Sequence, residues 1–278
     1  MTTTADVVDP LLFVQTTIHR DLEQQRIANA HRLAVLTRTT PDEDGVMRGF
    51  ALDERHPDVV RLAALVDALA ALEHDAELSI KRALRRSPLH PWIKAQPGLG
   101  EKQTARLLGA IGDPYWHAAE DRPRTISELW AYCGLHTVLV GHGGSDALRR
   151  TAGEDQTPED HTRPGTRCVL VPGERHRDPD PAVLEVRVAA RRTKGQRANW
   201  STDAKTRAYL CATSCIKQHA SPYRATYLGR RHHTAVAHAD WTAGHSHADG
   251  IRITSKAILR DLWREARRLH HLNERDDG

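Results

Sequence analysis

The chain has 278 residues, 39% of them hydrophobic, which is enough for one large or two modest domains with a buried core. No run of about 18 apolar residues occurs, and the opening Met1-Thr2-Thr3-Thr4-Ala5-Asp6 lacks the charged and apolar regions of a signal peptide, so a cytoplasmic protein with no membrane partner is expected. A formal net charge of only +4 means that a polyanionic partner would be recognised by where the cations lie, and Cys133, Cys168, Cys211 and Cys215 are too few and too unevenly placed for a disulfide framework, so they read as packing residues.

Residues 10–37 carry Leu11, Val14, Ile18, Leu22, Ile27, Leu33 and Leu36 among charged positions, the pattern of a long amphipathic helix. The run Thr40-Pro41-Asp42-Glu43-Asp44-Gly45 breaks it. Pro57-Asp58 then opens a second long helix with Leu62, Leu65, Leu69, Leu72, Ala76 and Ile80 as its stripe. Neither helix buries its stripe alone, so the pair is expected to form an antiparallel hairpin that packs on itself, on the rest of the chain, or on a second copy in a homo-oligomer.

The most informative segment follows: Pro97-Gly98-Leu99-Gly100-Glu101-Lys102-Gln103-Thr104-Ala105-Arg106-Leu107-Leu108. Glycines adopt the positive φ of a tight inter-helix turn and leave backbone bare for a phosphate. Pro97 stops the preceding helix, and Leu99 is an apolar plug between the two. The helix starting near Glu101 presents unpaired amides and a positive dipole end to whatever lies beyond the bend. Gly98, Leu99, Gly100, Lys102, Gln103, Thr104 and Arg106 are therefore candidate backbone-binding residues, in a mode that carries no sequence specificity. A generic glycine turn between two helices is the alternative.

Gly112-Asp113-Pro114 ends that helix, and Thr125 or Ser127 caps another short one that Gly134 stops. Residues 141–181 are rich in Gly, Pro, Asp, Arg and His and read as an exposed excursion. Cys168-Val169-Leu170-Val171 and residues 182–188 are apolar and β-branched enough to form a β-hairpin. Arg187, Arg191, Arg192, Lys194, Arg197, Lys205 and Arg207 face only Asp203 in the next stretch, so Arg191, Arg192, Lys194, Arg197, Lys205 and Arg207 join the candidate DNA-binding set. Ser201 caps a helix over 202–219, a short helix covers 223–231, and a last one spans 248–271, with Ile251, Ile258, Leu262, Ala266 and Leu269 on one face and Arg252, Lys256, Arg260, Arg264 and Arg268 on another.

Histidine is abundant, and His232, His233, His238, His245 and His247 lie near Asp240 and Asp249, but their spacing matches no zinc pattern. Cys211, Cys215 and His219 share a helical face that small buried cysteines explain more simply. No Walker or dinucleotide loop, Gly-x-Ser-x-Gly or His-Glu-x-x-His occurs. No cofactor and no metal are expected.

The segments 97–113, Leu129-Trp130-Ala131-Tyr132-Cys133-Gly134-Leu135 and Arg197-Ala198-Asn199-Trp200 together resemble the C-terminal portion of insertion-sequence transposases of the IS-one-ten, one-one-six and nine-zero-two class, whose helix-hairpin-helix and Ala-Tyr-x-Gly-Leu stretch they match. The resemblance implies DNA as partner, DNA transposition or recombination as process, and guide-like RNA as a further partner, because family members are guided by RNA. It also implies a nucleophilic serine soon after Gly-Leu; Ser145, in Gly141-His142-Gly143-Gly144-Ser145, is nearest, with a different residue order and offset. The family's N-terminal RuvC-like domain and its acidic metal ligands have no counterpart in this sequence. The expected fold is mainly α: a long antiparallel helical hairpin (1–90), a helix-hairpin-helix domain (91–140), a polar insertion with a small β-hairpin (141–190), and basic C-terminal helices (191–278). The expected function is transposase-like DNA binding, with strand transfer by Ser145 left open. The alternatives are a non-catalytic structure-selective accessory protein, a metal-dependent enzyme built on the C-terminal histidines, and a helical scaffold for protein partners.

Overall fold

A computed structural model describes residues 7–140, 186–189 and 198–276. Among these the chain is mainly helical, in the order α1 (Leu12–Thr37), α2 (Pro57–Arg86), α3 (His90–Lys94), α4 (Glu101–Ile111), β1 (Trp116–His117), β2 (Arg122–Pro123), α5 (Ile126–Tyr132), β3 (Thr137–Val140), β4 (Val186–Ala189), α6 (Thr202–Ile216), α7 (Pro222–Ala237) and α8 (Ala243–Asp276). Among the described residues no helix is long and apolar enough to cross a membrane.

The expected hairpin of long helices is present as α1 and α2. Pro57 opens α2, where the His56 ring accepts from the Asp58 amide, and Arg26 bonds Glu73 across the pair. The buried face of α1 is not the expected one. Leu11, Val14, Ile18 and Ile27 are exposed, and Leu12, Thr16 and His19 are buried instead. The reason is α4, which lies on the other side of α1: Gly109 lacks the Cβ that would run into Thr16, and Arg106 reaches Glu23. A close helix approach and an ion pair thus select a polar face over an apolar one. In α2 the stripe is buried only toward its C-terminal end, at Ile80, Ala83 and Leu84, while Leu65 and Leu72 are exposed.

Local chemistry fixes the short elements. Thr125 and Glu128 form a reciprocal capping box on α5, and Gly112 and Gly134 end α4 and α5 with positive φ. Arg124, buried, donates to the carbonyls of Ile111, Asp113 and Pro114, satisfying backbone at the end of α4. The expected pairing of 168–171 with 182–188 is corrected in its partner: β4 pairs antiparallel with β3, Val138 opposite Val188, and 168–171 lie outside the described residues. Thr137-Val138-Leu139-Val140 has the β-branched composition for this role.

Ser201 caps α6 as expected, although the helix stops at Ile216, short of 219. Helix α7 runs beyond the expected 231 to Ala237, and α8 starts earlier and ends later than 248–271. Ile251, Ile258, Leu262 and Ala266 of α8 are buried as the periodicity predicts, and Trp130 and Trp263 donate to the carbonyls of Lys256 and Arg124, fastening α8 to α5 and its preceding turn. One hydrophobic cluster runs from Val7 and Val8 through α4 and α6 to α8.

Candidate nucleic-acid interface

The bend between α3 and α4 is built as its sequence suggests, with its two glycines in different surroundings. Gly98 has φ +96°, and a Cβ there would lie 2.6 Å from the Cys215 Cα, so its back is pressed against the end of α6. Leu99 is buried. Gly100 caps α4 in an extended conformation, and a Cβ on it would meet nothing within 4 Å. One side of the bend is sealed and the other faces open space.

Around the open side lies a mixture of charges. Glu101, in the first turn of α4, is held by Arg85 at 2.7 and 2.8 Å and by His90 at 3.0 Å, and the Arg85 bond pulls its carboxyl down to about 2 against the opposing effect of burial. Glu77 of α2 lies 2.6 Å from both Lys102 and Lys81, whose bonds likewise hold it at about 2. The structure thus brings the basic end of α2, Lys81-Arg82-Ala83-Leu84-Arg85-Arg86, beside the start of α4; Arg82 and Arg86 are exposed there. Sequence reasoning missed this group. The signal was a run of four cations in six residues on a helix ending just before the bend.

The remaining candidates separate by burial. Thr104 and Arg106 point inward from α4, Thr104 at 1% and Arg106 at 4% exposure, with Arg106 forked onto Glu23 at 2.7 and 3.2 Å. Both are corrected from phosphate ligands at the bend to interior residues, Arg106 in the α1–α4 seam and Thr104 beside Cys211 of α6. Gln103 has its carbonyl oxygen buried without a partner. Arg207 is also buried, 3.2 Å from Asp203, and Lys205 lies over the Trp200 ring at 5.2 Å. The structure therefore does not gather Lys205 and Arg207 at the bend. Ser145, Arg191, Arg192, Lys194 and Arg197 lie outside the described residues.

The basic strip of α8 is largely internally matched. Arg252 pairs with Asp249, Arg260 and Arg264 with Asp261, and Arg268 with Glu265, while Lys256 sits 4.0 Å above the Trp130 ring. Asp249 is shared with Arg230 of α7. The C-terminal histidines divide among separate contacts: His247 bonds the Tyr227 hydroxyl at 2.7 Å, and His238 and His245 stack on opposite sides of the sequence-neighbouring Trp241 at 4.2 and 3.9 Å. Among the described residues no group of three or more His, Cys, Asp or Glu is poised to hold a metal ion. Cys133, Cys211 and Cys215 are buried, and burial pushes the thiols of Cys133 and Cys211 up to about 12 and that of Cys215 to about 11, the behaviour of packing residues.

No family model matches the chain, and no curated protein matches it.

Proposed function

We propose that the chain is a DNA-binding protein of transposase type that holds the phosphate backbone at the open side of the Gly98–Gly100 bend. The observation carrying this reading is the asymmetry of the bend. Leu99 and Gly98 are packed inward, whereas Gly100 opens onto free space at the N-cap of the 11-residue α4, whose first-turn amides have no helical acceptor. The adjoining cations Lys81, Arg82, Arg85, Arg86 and Lys102 outnumber the carboxylates Asp9, Glu77 and Glu101, of which Asp9 lies 3.6 Å from Arg86, leaving local positive charge for a polyanion. Contacts of this kind read backbone, which suits recognition of DNA structure over sequence, in a recombination or an accessory role alike.

The test is anisotropy of labelled duplex and branched DNA across a salt series. Affinity is expected to fall steeply with salt, and Arg82→Gln with Arg86→Gln to reduce the slope by about 2, one for each phosphate that is no longer neutralised. Gly100→Val is expected to weaken binding with no loss of helicity. Affinity unchanged in both variants would refute the reading.

A second reading, a helical scaffold for protein partners, is favoured by the exposed Leu11 at the N-cap of α1 and Phe13, Val14 and Ile18 in its first two turns. Sedimentation of wild type against Phe13→Ser with Ile18→Ser distinguishes it: a mass that depends on these residues supports self-association, and an unchanged monomer removes that form of it.

A further inference from the structure

Where α1, α4 and α6 meet, three guanidinium groups from three different helices converge. Arg20 comes from α1, Arg106 from α4 and Arg207 from α6, and all three line one small cleft beside Gly109, with Phe13 at its rim. Arg106 and Arg207 are more than nine-tenths buried, whereas the Arg20 side chain keeps 35% of its surface in solvent. Three carboxylates face these charges, two of them only at the side toward solvent. Glu23 takes both terminal nitrogens of Arg106, and Asp203 sits 3.2 Å from Arg207 and 3.7 Å from Arg20; Asp21, largely exposed, is 3.6 Å from Arg20. The Nε of Arg106 is buried and has no partner. A buried charged donor without an acceptor is costly, and such a group marks a place where an acceptor is missing. Burial and the neighbouring Arg106 charge both lower the pKa of Arg207, a sign that the two cations crowd each other.

We infer that this cleft binds a phosphate group, with Arg20, Arg106 and Arg207 as its ligands. The cavity volume is about 10 Å³, room for a single oxygen-sized group. One phosphate oxygen enters toward Arg106 and Arg207, and the others remain at the mouth beside the partly exposed Arg20, which would exchange its long contacts with Asp21 and Asp203 for them. A tetrahedral oxyanion accepts from donors arriving in several directions, which suits forks projected from three helices; a planar carboxylate suits one fork at a time, as Glu23 already shows with Arg106. The shared chemistry is the phosphate group, whether free or carried by a nucleic acid. The inference does not rest on the proposed role of the bend, which lies at the other end of α4.

The experiment is thermal unfolding of the full chain in inorganic phosphate against sodium chloride at equal ionic strength. A saturable, phosphate-specific rise in Tm is expected. Arg20→Gln, at the partly exposed ligand, should keep the fold by circular dichroism and raise the half-saturating phosphate concentration about tenfold, the effect of losing one charge-assisted hydrogen bond. Arg264→Gln, on the exposed side of α8, should leave it unchanged. No phosphate-specific rise, or the same response in Arg20→Gln as in wild type, would overturn the inference. Competition then assigns the source. A 5′-phosphorylated oligonucleotide that competes where its unphosphorylated twin does not points to a terminal phosphate, equal competition by both points to the backbone, and competition by neither points to the free anion. A phosphate response that survives Gly100→Val while DNA affinity is lost keeps this site separate from the bend.

Discussion

Gly98 and Gly100 are two residues apart and chemically identical, yet alanine should act on them in opposite ways. At Gly98 the φ of +96° is unfavourable for any L side chain, and the added Cβ would press on the Cys215 main chain at 2.6 Å from Cα and 3.1 Å from N. Backbone strain of about 1–3 kcal/mol and overpacking of about 1–3 kcal/mol together give a loss of about 2–6 kcal/mol, large against a typical domain stability of roughly 5–15 kcal/mol. At Gly100 the φ of −73° suits alanine and the methyl group enters open space. A weaker N-cap is offset there by lower chain entropy in the unfolded state, so the net change is within about 0.5 kcal/mol. Urea unfolding followed by circular dichroism measures both. Equal midpoints for Gly98→Ala and Gly100→Ala would refute the claim that the bend is sealed on one side and open on the other, and the direction assigned to the α4 amides would go with it.

The α1–α4 seam gives two further tests. Glu23→Gln leaves the buried Arg106 without a carboxylate and should cost about 1–3 kcal/mol in urea midpoint analysis, because Glu23 is only partly screened by solvent; Asp44→Asn, at the exposed Arg48 pair, should give no measurable change. His19 is fully buried with neither ring nitrogen bonded, and burial, Arg106 and Lys102 lower its pKa from 6.5. The unfolded chain therefore takes up a proton below pH 6.5 that the folded chain refuses, so stability falls as pH drops through that value and continues to fall until the lower folded-state pKa is reached. His19→Leu should stabilise the protein by about 1–2 kcal/mol and flatten this part of the pH profile; a profile that keeps its slope would place the titration elsewhere.

How far the sequence could be read depended on whether the deciding chemistry was local. The bend, the Thr125 cap and the glycine stops at Gly112 and Gly134 are set by residues within a few positions, and their form follows from backbone rules alone. The face of α1 is set by distant residues. Leu11, Val14 and Ile18 form a row at helical spacing, but Leu12, Thr16, His19 and Glu23 form another, and only Gly109 and Arg106, over eighty positions away, decide between them. The β4 partner was illegible for the same reason, since β3 and 168–171 are comparably β-branched. The basic end of α2 was readable as composition, but its meaning came from the ion pair between Arg85 and Glu101 that brings it to the bend.

Helix α4 carries cations at Lys102 and Arg106, one turn apart, and each is answered by an acid of the long hairpin, Glu77 of α2 and Glu23 of α1. These bonds hold the helix from two sides while Leu107 and Leu108 anchor it in the core. A backbone grip through main-chain amides needs such rigidity, because an amide aimed within a narrow angle binds a phosphate oxygen without having to be ordered first. The same bonds turn Lys102 and Arg106 away from the open side of the bend. In the proposed grip, long-range attraction falls to Arg82 and Arg86, exposed on α2 with Asp9 3.6 Å from Arg86, while α4 supplies direction through Gly100. In this arrangement charge and geometry reside on different helices. Removing the α2 arginines should slow association and flatten the salt dependence, whereas altering Gly100 should hasten dissociation and leave the salt slope nearly intact.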